Sequence, residues 1–263
     1  MDEKYLLYID ILGFKELVDS DINRVKDLYQ VIASLNVHLH DGFKAIVFSD
    51  TILIYNNFST PDEQTKAYTV MFLCEFVQDL QHRLIGRDIT FRAVITYGQF
   101  INYEINQIPC FYGTALIDAY LIEKEIPCTG LFITDRCNAS NNIFRTQRYS
   151  DDLNFVFVTQ NLHRLEYEGY SNGWLIDELG LTRYVMAETL HIKFIFENMR
   201  NHSNSKVRTK YSATWNLYVN QYPRTLELFE QNSFNLNAIY PEIDWDEWLK
   251  LIPEDYSYIQ EGG

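Results

Sequence analysis

The apolar positions near the start of the chain predict a buried strand followed by an amphipathic helix. Residues 5–11 are apolar apart from Asp10, as suits a strand buried on both faces, and the run stops at Gly13. Asp10 therefore stands at the carboxyl end of the predicted strand. In residues 21–40 the apolar positions recur every three or four residues, which predicts a helix with one buried face.

A hairpin, a second helix and another strand are predicted next. Residues 43–48 and 52–55 are two β-rich runs separated by only three residues, so we expect a hairpin with Asp50 at its turn. Residues 61–84 repeat the helical period, and residues 89–97 have the composition of a strand.

A third helix is predicted from Gly113 to Pro127, and a short strand at residues 131–134 follows it. The predicted order is thus β-α-β-β-α-β-α-β. This succession is typical of a palm-like α+β layer, in which one sheet carries helices packed against it.

The second half of the chain is predicted to be mainly helical. Residues 155–159 have the pattern of one more strand, and residues 182–201 and 206–222 predict two long helices joined by a polar turn. We therefore predict an α+β core at residues 1–160 and a helical C-terminal extension at residues 161–263, packed on or beside that core.

The composition of the chain argues against a long nucleic acid or a membrane as its binding partner. The chain has 22 Lys and Arg against 36 Asp and Glu, a net charge of −14, so a long nucleic acid is not expected to bind. Its four cysteines form no metal-binding or disulfide pattern, which suits reduced thiols in the cytoplasm. No uninterrupted apolar stretch reaches the length of a membrane helix, so we expect a cytoplasmic protein without a membrane partner.

Two carboxylates are the first candidates for chemistry. If the first strand lies beside the hairpin, Asp10 at the strand end and Asp50 at the turn project from the same edge of the sheet. Two carboxylates without a cationic partner repel each other, and a divalent cation relieves the repulsion by taking oxygen ligands from both. Such a pair suits Mg²⁺ or Mn²⁺ and, with two ions, phosphoryl chemistry on a nucleoside triphosphate.

Five segments together resemble the class III adenylyl and guanylyl cyclases. Residues 8–14, Tyr-Ile-Asp-Ile-Leu-Gly-Phe, resemble the Asp-Ile-x-Gly-Phe motif of that family, and residues 48–50 are similar to its Gly-Asp turn. Residues 92–98 resemble its Arg-x-Gly-Ile-x-x-Gly strand, residues 111–113 the start of its substrate-facing helix, and residues 131–134 its closing strand. The order and spacing of the segments are more specific than any one motif.

The resemblance implies a class III cyclase fold and a homodimer whose sites lie at the interface between two chains. It implies that Asp10 and Asp50 bind two divalent ions, Mn²⁺ or Mg²⁺, with the backbone carbonyl of Ile11 as a further ligand. The implied substrate contacts are Arg92 as a catalytic residue, and Phe14 and Lys15 in the loop that meets the phosphates.

Three positions depart from the purine cyclases, whereas a fourth, Cys110, is as in some guanylyl cyclases. Ile46 stands where those enzymes carry the Lys or Glu that selects the base, and Ile117 and Leu121 stand where they carry the Asn and Arg that act in the transition state. Cys110 occupies the other base-contacting position. The chain thus keeps the metal-binding aspartates but lacks the residues that select a purine. In this combination it resembles the bacterial anti-phage pyrimidine cyclases of the Pycsar type. This resemblance implies cyclic UMP or cyclic CMP as an antiviral messenger, UTP favoured over CTP, and a separate effector protein that binds the product.

Other interpretations stay open. The chain is alternatively a cyclase-derived dimer that binds or senses a nucleotide without catalysis, or a relative of the polymerase palm, although no basic groove for a primer is evident. Arg92 is as well explained by a salt bridge on the outer face of the sheet as by phosphate binding. Lys15 suits a solvated lysine, and Asp118 and Glu123 are expected to be surface charges on the third helix.

Overall fold

The computed structural model describes residues 3–168 and 173–246. The chain divides into two compact units, one formed by residues 1–80 and 89–158 and the other by residues 81–88 and 159–263. The structure thus groups residues 81–88 with the second unit, whereas the sequence assigned them to the core. A domain boundary at residue 160 stays a prediction.

The first unit is built on a seven-stranded sheet. The strands of this unit are β1 (Glu3–Leu12), β2 (Phe43–Phe48), β3 (Thr51–Asn56), β4 (Thr90–Gln99), β5 (Ile101–Ile105), β6 (Ile108–Tyr112), β7 (Gly130–Thr134), β8 (Arg145–Ser150) and β9 (Leu153–Phe157). The strand order in the sheet is β2-β3-β1-β4-β7-β9-β8, with β4 and β7 parallel and all other neighbours antiparallel. Strands β5 and β6 form a separate hairpin.

Five helices belong wholly or partly to this unit, together with a 3-10 turn at Asn36–Leu39. They are α1 (Phe14–Ser20), α2 (Ile22–Ala33), α3 (Glu63–Leu84, whose last turn lies in the second unit), α4 (Thr114–Glu125) and α5 (Asp135–Asn138). This sheet with its helices confirms the predicted α+β fold class. The helix predicted over residues 21–40 is shorter than expected, because α2 ends at Ala33 and the chain continues in the 3-10 turn.

Helix α4 is fixed to one face of the sheet. The hydroxyl of Thr96 donates to the carbonyl of Ala115 (2.9 Å), and the N–H of Gln99 donates to the hydroxyl of Thr114 (3.1 Å). Gly113 precedes the helix with φ +149°, where a Cβ would collide with the carbonyl of Gln99, so only glycine allows this close approach. The apolar cluster under α4 comprises Leu6, Tyr8, Leu53, Tyr55, Phe100, Ala115 and Ala119.

The second unit is helical as far as the structure describes it. Its helices are α6 (Gln160–Tyr167), α7 (Gly173–Glu178), α8 (Thr182–Asn201), α9 (Ser205–Gln221), α10 (Pro223–Gln231) and α11 (Leu236–Ile239). Two buried glutamates satisfy helix amino termini there. Glu188 accepts the N–H of Leu162 (2.9 Å) at the start of α6, and Glu166 accepts the N–H of Thr225 (2.8 Å) in α10. None of the described helices has the length and apolar character that crossing a membrane requires.

Candidate functional site

Asp10 and Asp50 are brought to the same edge of the sheet, as the sequence predicted. Asp10 stands opposite Thr51, the first residue of β3, and the N–H of Ile11 donates to the carbonyl of Asp50 at 2.9 Å. The end of β1 is therefore hydrogen-bonded to the β2–β3 turn. The Asp10 side chain is 21% exposed, and Asp50 is half-buried, so a solvent ion has access to both carboxylates.

The turn that carries Asp50 is held from α2. The Tyr29 hydroxyl donates to the carbonyl of Ser49 (3.0 Å), and Ser49 adopts φ 55°, a conformation that is uncommon for residues other than glycine. The ring of Phe14 packs edge-on against Tyr29 at 6.4 Å between centroids. Phe14, a predicted substrate contact, thus packs on the helix that supports the turn, and Lys15 is exposed. The sequence did not predict this role of Tyr29, because in the helical pattern it is only one of the recurring apolar positions.

Tyr8 is a second residue that the sequence analysis missed. It is buried, and its hydroxyl lies 3.5 Å from that of Thr51. Burial raises the pKa of Tyr8, and the negative charges of Asp10, Glu123 and Asp50 raise it further, whereas the bond to Thr51 lowers it. Three carboxylates therefore lie near enough to Tyr8 to act on its hydroxyl electrostatically. Two-residue alternation along β1 places Tyr8 on the same face as Asp10, which is the only sequence signal for it.

Arg92 lies between the sheet and α4. It stands opposite Asp10 in the β1–β4 pair, forms an ion pair with Glu123, and donates to the carbonyl of Ile126 (2.6 Å). Its guanidinium is also 3.8 Å from the Asp10 carboxylate. Three expectations are corrected by this geometry: Arg92 is not on the outer face of the sheet, Asp10 does have a cationic neighbour, and Glu123, only 4% exposed, is not a surface charge. Asp118 is exposed, as expected.

The remaining predicted residues lie in β2, β6 and α4. Ile46 in β2 packs against that cluster, as does Phe111, the neighbour of Cys110. Cys110 is a half-buried free thiol in β6. Ile117 and Leu121, at 56% and 55% exposure, present apolar side chains to solvent from α4.

The oxygen donors at the edge fit a hard divalent cation. Within a strand, the N–H and C=O of one residue point the same way, so the carbonyl of Ile11 faces the turn to which its N–H is bonded. Together with the Asp10 and Asp50 carboxylates it would offer oxygen ligands of the kind that Mg²⁺ and Mn²⁺ prefer. Across residues 3–168 and 173–246, no group of three or more His, Cys, Asp or Glu forms a metal-binding cluster. A two-carboxylate site with a carbonyl is the arrangement that this chain offers.

Comparison with known proteins gives distant structural likenesses. No protein-family model and no curated protein matches the chain. The adenylyl cyclase CyaB from P. aeruginosa is similar over 59% of this chain and 93% of that chain, with 13% identity and a TM-score of 0.43. The monomeric guanylyl cyclase domain of the RhoGC fusion protein from the aquatic fungus Blastocladiella emersonii is similar over 59% of this chain and 95% of that chain, with 14% identity and a TM-score of 0.46.

A third structure, a class III adenylyl cyclase-like ATP-binding protein from Pseudomonas aeruginosa, is similar over 57% of this chain and 36% of that chain. Its identity is 12% and its TM-score 0.43. Likenesses at these sequence identities and TM-scores do not assign a function to this chain.

Proposed function

We propose that this chain is a metal-dependent nucleotide cyclase. In the proposed reaction the 3′-hydroxyl of a nucleoside triphosphate loses its proton and its oxygen attacks the α-phosphorus of the same molecule. A bond from the 3′-oxygen to the α-phosphorus forms, the bond from the α-phosphorus to the bridging oxygen of the β-phosphate breaks, and pyrophosphate leaves. The observation that carries the proposal is the meeting of Asp10 and Asp50 at one sheet edge, beside the carbonyl of Ile11. These three residues would hold two Mn²⁺ or Mg²⁺ ions. Bound ions of this kind lower the pKa of an attacking hydroxyl and neutralise the leaving pyrophosphate.

A pyrimidine triphosphate is the proposed substrate, with UTP favoured over CTP. Ile46 packs with apolar neighbours and has no group that could pair with a purine edge. A site that reads a base by hydrogen bonds rejects the wrong base because buried polar groups are left unmatched, and Ile46 gives no such discrimination in favour of purines. The likeness to the Pycsar-type motifs adds the preference for uracil, the role of the product as an antiviral messenger, and a separate effector protein.

The proposed active form is a homodimer with sites at the interface. Ile117 and Leu121 stand on the solvent side of α4, and neither side chain can donate to a ribose or a phosphate. A second copy would cover these apolar residues and bring its own groups to the triphosphate. In this arrangement Lys15, which is exposed, and Phe14 stay candidates for substrate contacts, and Cys110 for the base.

One observation favours a second candidate function, nucleotide binding without catalysis. Arg92 is engaged by Glu123 and by the carbonyl of Ile126, so it is not open to a phosphate in this conformation. A dimer that binds and senses a nucleotide would need no cationic transition-state group. Binding of labelled triphosphate without any product would favour this candidate over the cyclase.

The decisive assay is incubation with each of the four labelled triphosphates and Mn²⁺, followed by chromatography. The proposal predicts a cyclic 3′,5′-monophosphate and pyrophosphate in the UTP reaction, a smaller yield with CTP, and little product with ATP or GTP. A higher kcat/KM for ATP or GTP than for both pyrimidines would overturn the pyrimidine assignment. Absence of any cyclic product would overturn the cyclase assignment itself.

A further inference from the structure

Glu123 occupies a position that helical spacing reserves for an apolar side chain. It follows Ala115 and Ala119 at intervals of four residues, and these three are the buried residues of α4. The two alanines belong to the apolar cluster on the sheet. A carboxylate at the third position carries a desolvation cost of several kcal/mol unless it is paired. The pairing partner of Glu123 therefore indicates why a charge stands there.

The partner is Arg92, and the same guanidinium nitrogen faces two carboxylates. Its Nη2 is in direct contact with Glu123 and lies 3.8 Å from Asp10, beyond hydrogen-bond distance. Nη1 is fixed by the carbonyl of Ile126 at 2.6 Å. Glu123 and Ile126 thus both hold the guanidinium at the end of α4, and Arg92 lies farther from Asp10 than from Glu123.

We propose that Glu123 is a positioning residue that restrains Arg92 from a hydrogen-bonded salt bridge with Asp10, so that Arg92 does not occupy the Asp10 oxygens that a divalent cation would bind. This inference rests on the proposed function, because it concerns the same metal site. An Arg92 released from Glu123 would pair bidentately with the opposite carboxylate, since planar guanidinium and carboxylate match in geometry. The cation would then have to displace Arg92 from the oxygens it binds.

The negative charge of Glu123 itself also favours binding of a cation near Asp10. Asp10, Asp50 and Glu123 carry three formal negative charges, and Arg92 carries one positive charge. The three carboxylates all act on the pKa of Tyr8, and Arg92 contacts two of them, so the formal charges of these four neighbouring residues sum to −2. Removing the charge of Glu123 halves that net charge. Both effects weaken metal binding without touching a metal ligand.

The test is a titration with Mn²⁺ alone, followed by electron paramagnetic resonance of the free ion, for the wild-type chain and five variants. The relevant site is the one lost in Asp10→Asn. Glu123→Gln is expected to weaken Mn²⁺ binding by about 10- to 100-fold, the range typical of groups that orient metal ligands. The control Glu125→Gln, which removes an exposed charge two residues further along α4, is expected to bind as the wild type does.

The double variant Glu123→Gln with Arg92→Gln separates restraint of Arg92 from simple packing. With the competing guanidinium removed, Mn²⁺ affinity should return to within a few-fold of wild type. Because it also removes both charges of the buried pair, this variant is expected to fold if Glu123→Gln alone does not.

Four outcomes would overturn the inference. Wild-type affinity in a folded Glu123→Gln variant would do so while leaving the cyclase proposal intact. An affinity in the double variant no better than in Glu123→Gln, or a weakened site in Arg92→Gln alone, would show that Arg92 does not compete for Asp10. A wild-type chain that binds no Mn²⁺ would overturn this inference and the metal site together.

Discussion

Tyr29 shows how a single hydroxyl fixes the geometry of the candidate site. It donates to the carbonyl of Ser49, a residue at positive φ directly before Asp50. A non-glycine residue in that conformation costs on the order of 1–2 kcal/mol, and neighbouring contacts must maintain it. The position of the Asp50 carboxylate therefore depends on a residue of α2 that lies twenty positions before Ser49 in the chain.

We predict that Tyr29→Phe lowers the free energy of unfolding by about 1 kcal/mol, the usual contribution of one hydrogen bond. Turnover with Mn²⁺ should fall more than this change suggests, because the Asp50 turn loses its anchor. Urea unfolding and a turnover assay measure the two effects. Tyr68→Phe, which removes the hydroxyl of an exposed tyrosine on α3, is the matched control. Equal activity of Tyr29→Phe and the control would contradict the anchoring role.

At the scale of elements, the carboxylate of Glu188 replaces a side-chain cap for α6. Glu188 in α8 accepts the N–H of Asn161 (3.2 Å) and of Leu162, and the Asn161 side-chain amide as well (2.8 Å). Burial raises the pKa of Glu188 from 4.5 to about 7, although these hydrogen bonds lower it. The folded chain thus keeps this proton in a pH range where the unfolded chain has already lost it.

We predict that Glu188→Gln gains stability relative to wild type as the pH rises. Between pH 4.5 and pH 7 the folded wild type binds more protons than the unfolded chain, so its free energy of unfolding decreases with increasing pH. The glutamine does not titrate. The difference between variant and wild type should therefore grow by about 3 kcal/mol from pH 4.5 to pH 8, at about 1.4 kcal/mol per unit of pKa change.

Urea unfolding at several pH values between 4.5 and 8 measures this difference. His82 and His191 are half-buried, and desolvation lowers their pKa values to about 4 and about 3. Both histidines are present in the two proteins, so their titration cancels in the comparison. Glu197→Gln, an exposed glutamate on the same helix, is the control and should show no such trend. A pH-independent difference for Glu188→Gln would contradict the raised pKa.

Most of the secondary structure of the first unit could be predicted from the spacing of apolar residues. The prediction failed where the residues present are not those that usually indicate the structure. The β1 run, the hairpin with Asp50 and helix α4 follow directly from apolar periodicity. The β5–β6 hairpin was missed, because its turn places Asn106 and Gln107 at positive φ without the glycine that normally indicates such a turn. Glu123 was missed because a charged residue on a helix is usually solvated, and only the spacing from Ala115 and Ala119 points inward.

At the scale of the whole molecule, the exposed apolar residues of α4 agree with assembly into a dimer. Ile117 and Leu121 are more than half exposed, which suits a surface that a second copy covers. We predict a homodimer by light scattering, and a shift to monomer in Ile117→Lys with Leu121→Lys. Leu228→Lys, on α10, is the control and should leave the mass unchanged. A strictly monomeric chain with full activity would contradict the shared site.

The central claim is that Asp10 and Asp50 hold divalent ions against a nucleoside triphosphate. The direct measurement is Mn²⁺-dependent turnover of UTP by Asp10→Asn and Asp50→Asn, with Asp118→Asn as control because Asp118 is exposed on α4. Each ligand variant is predicted to fold and to lose activity by about 100-fold or more, since each removes a charged ligand from the same ions, while the control keeps full activity. Near wild-type turnover by either folded ligand variant would contradict the claim.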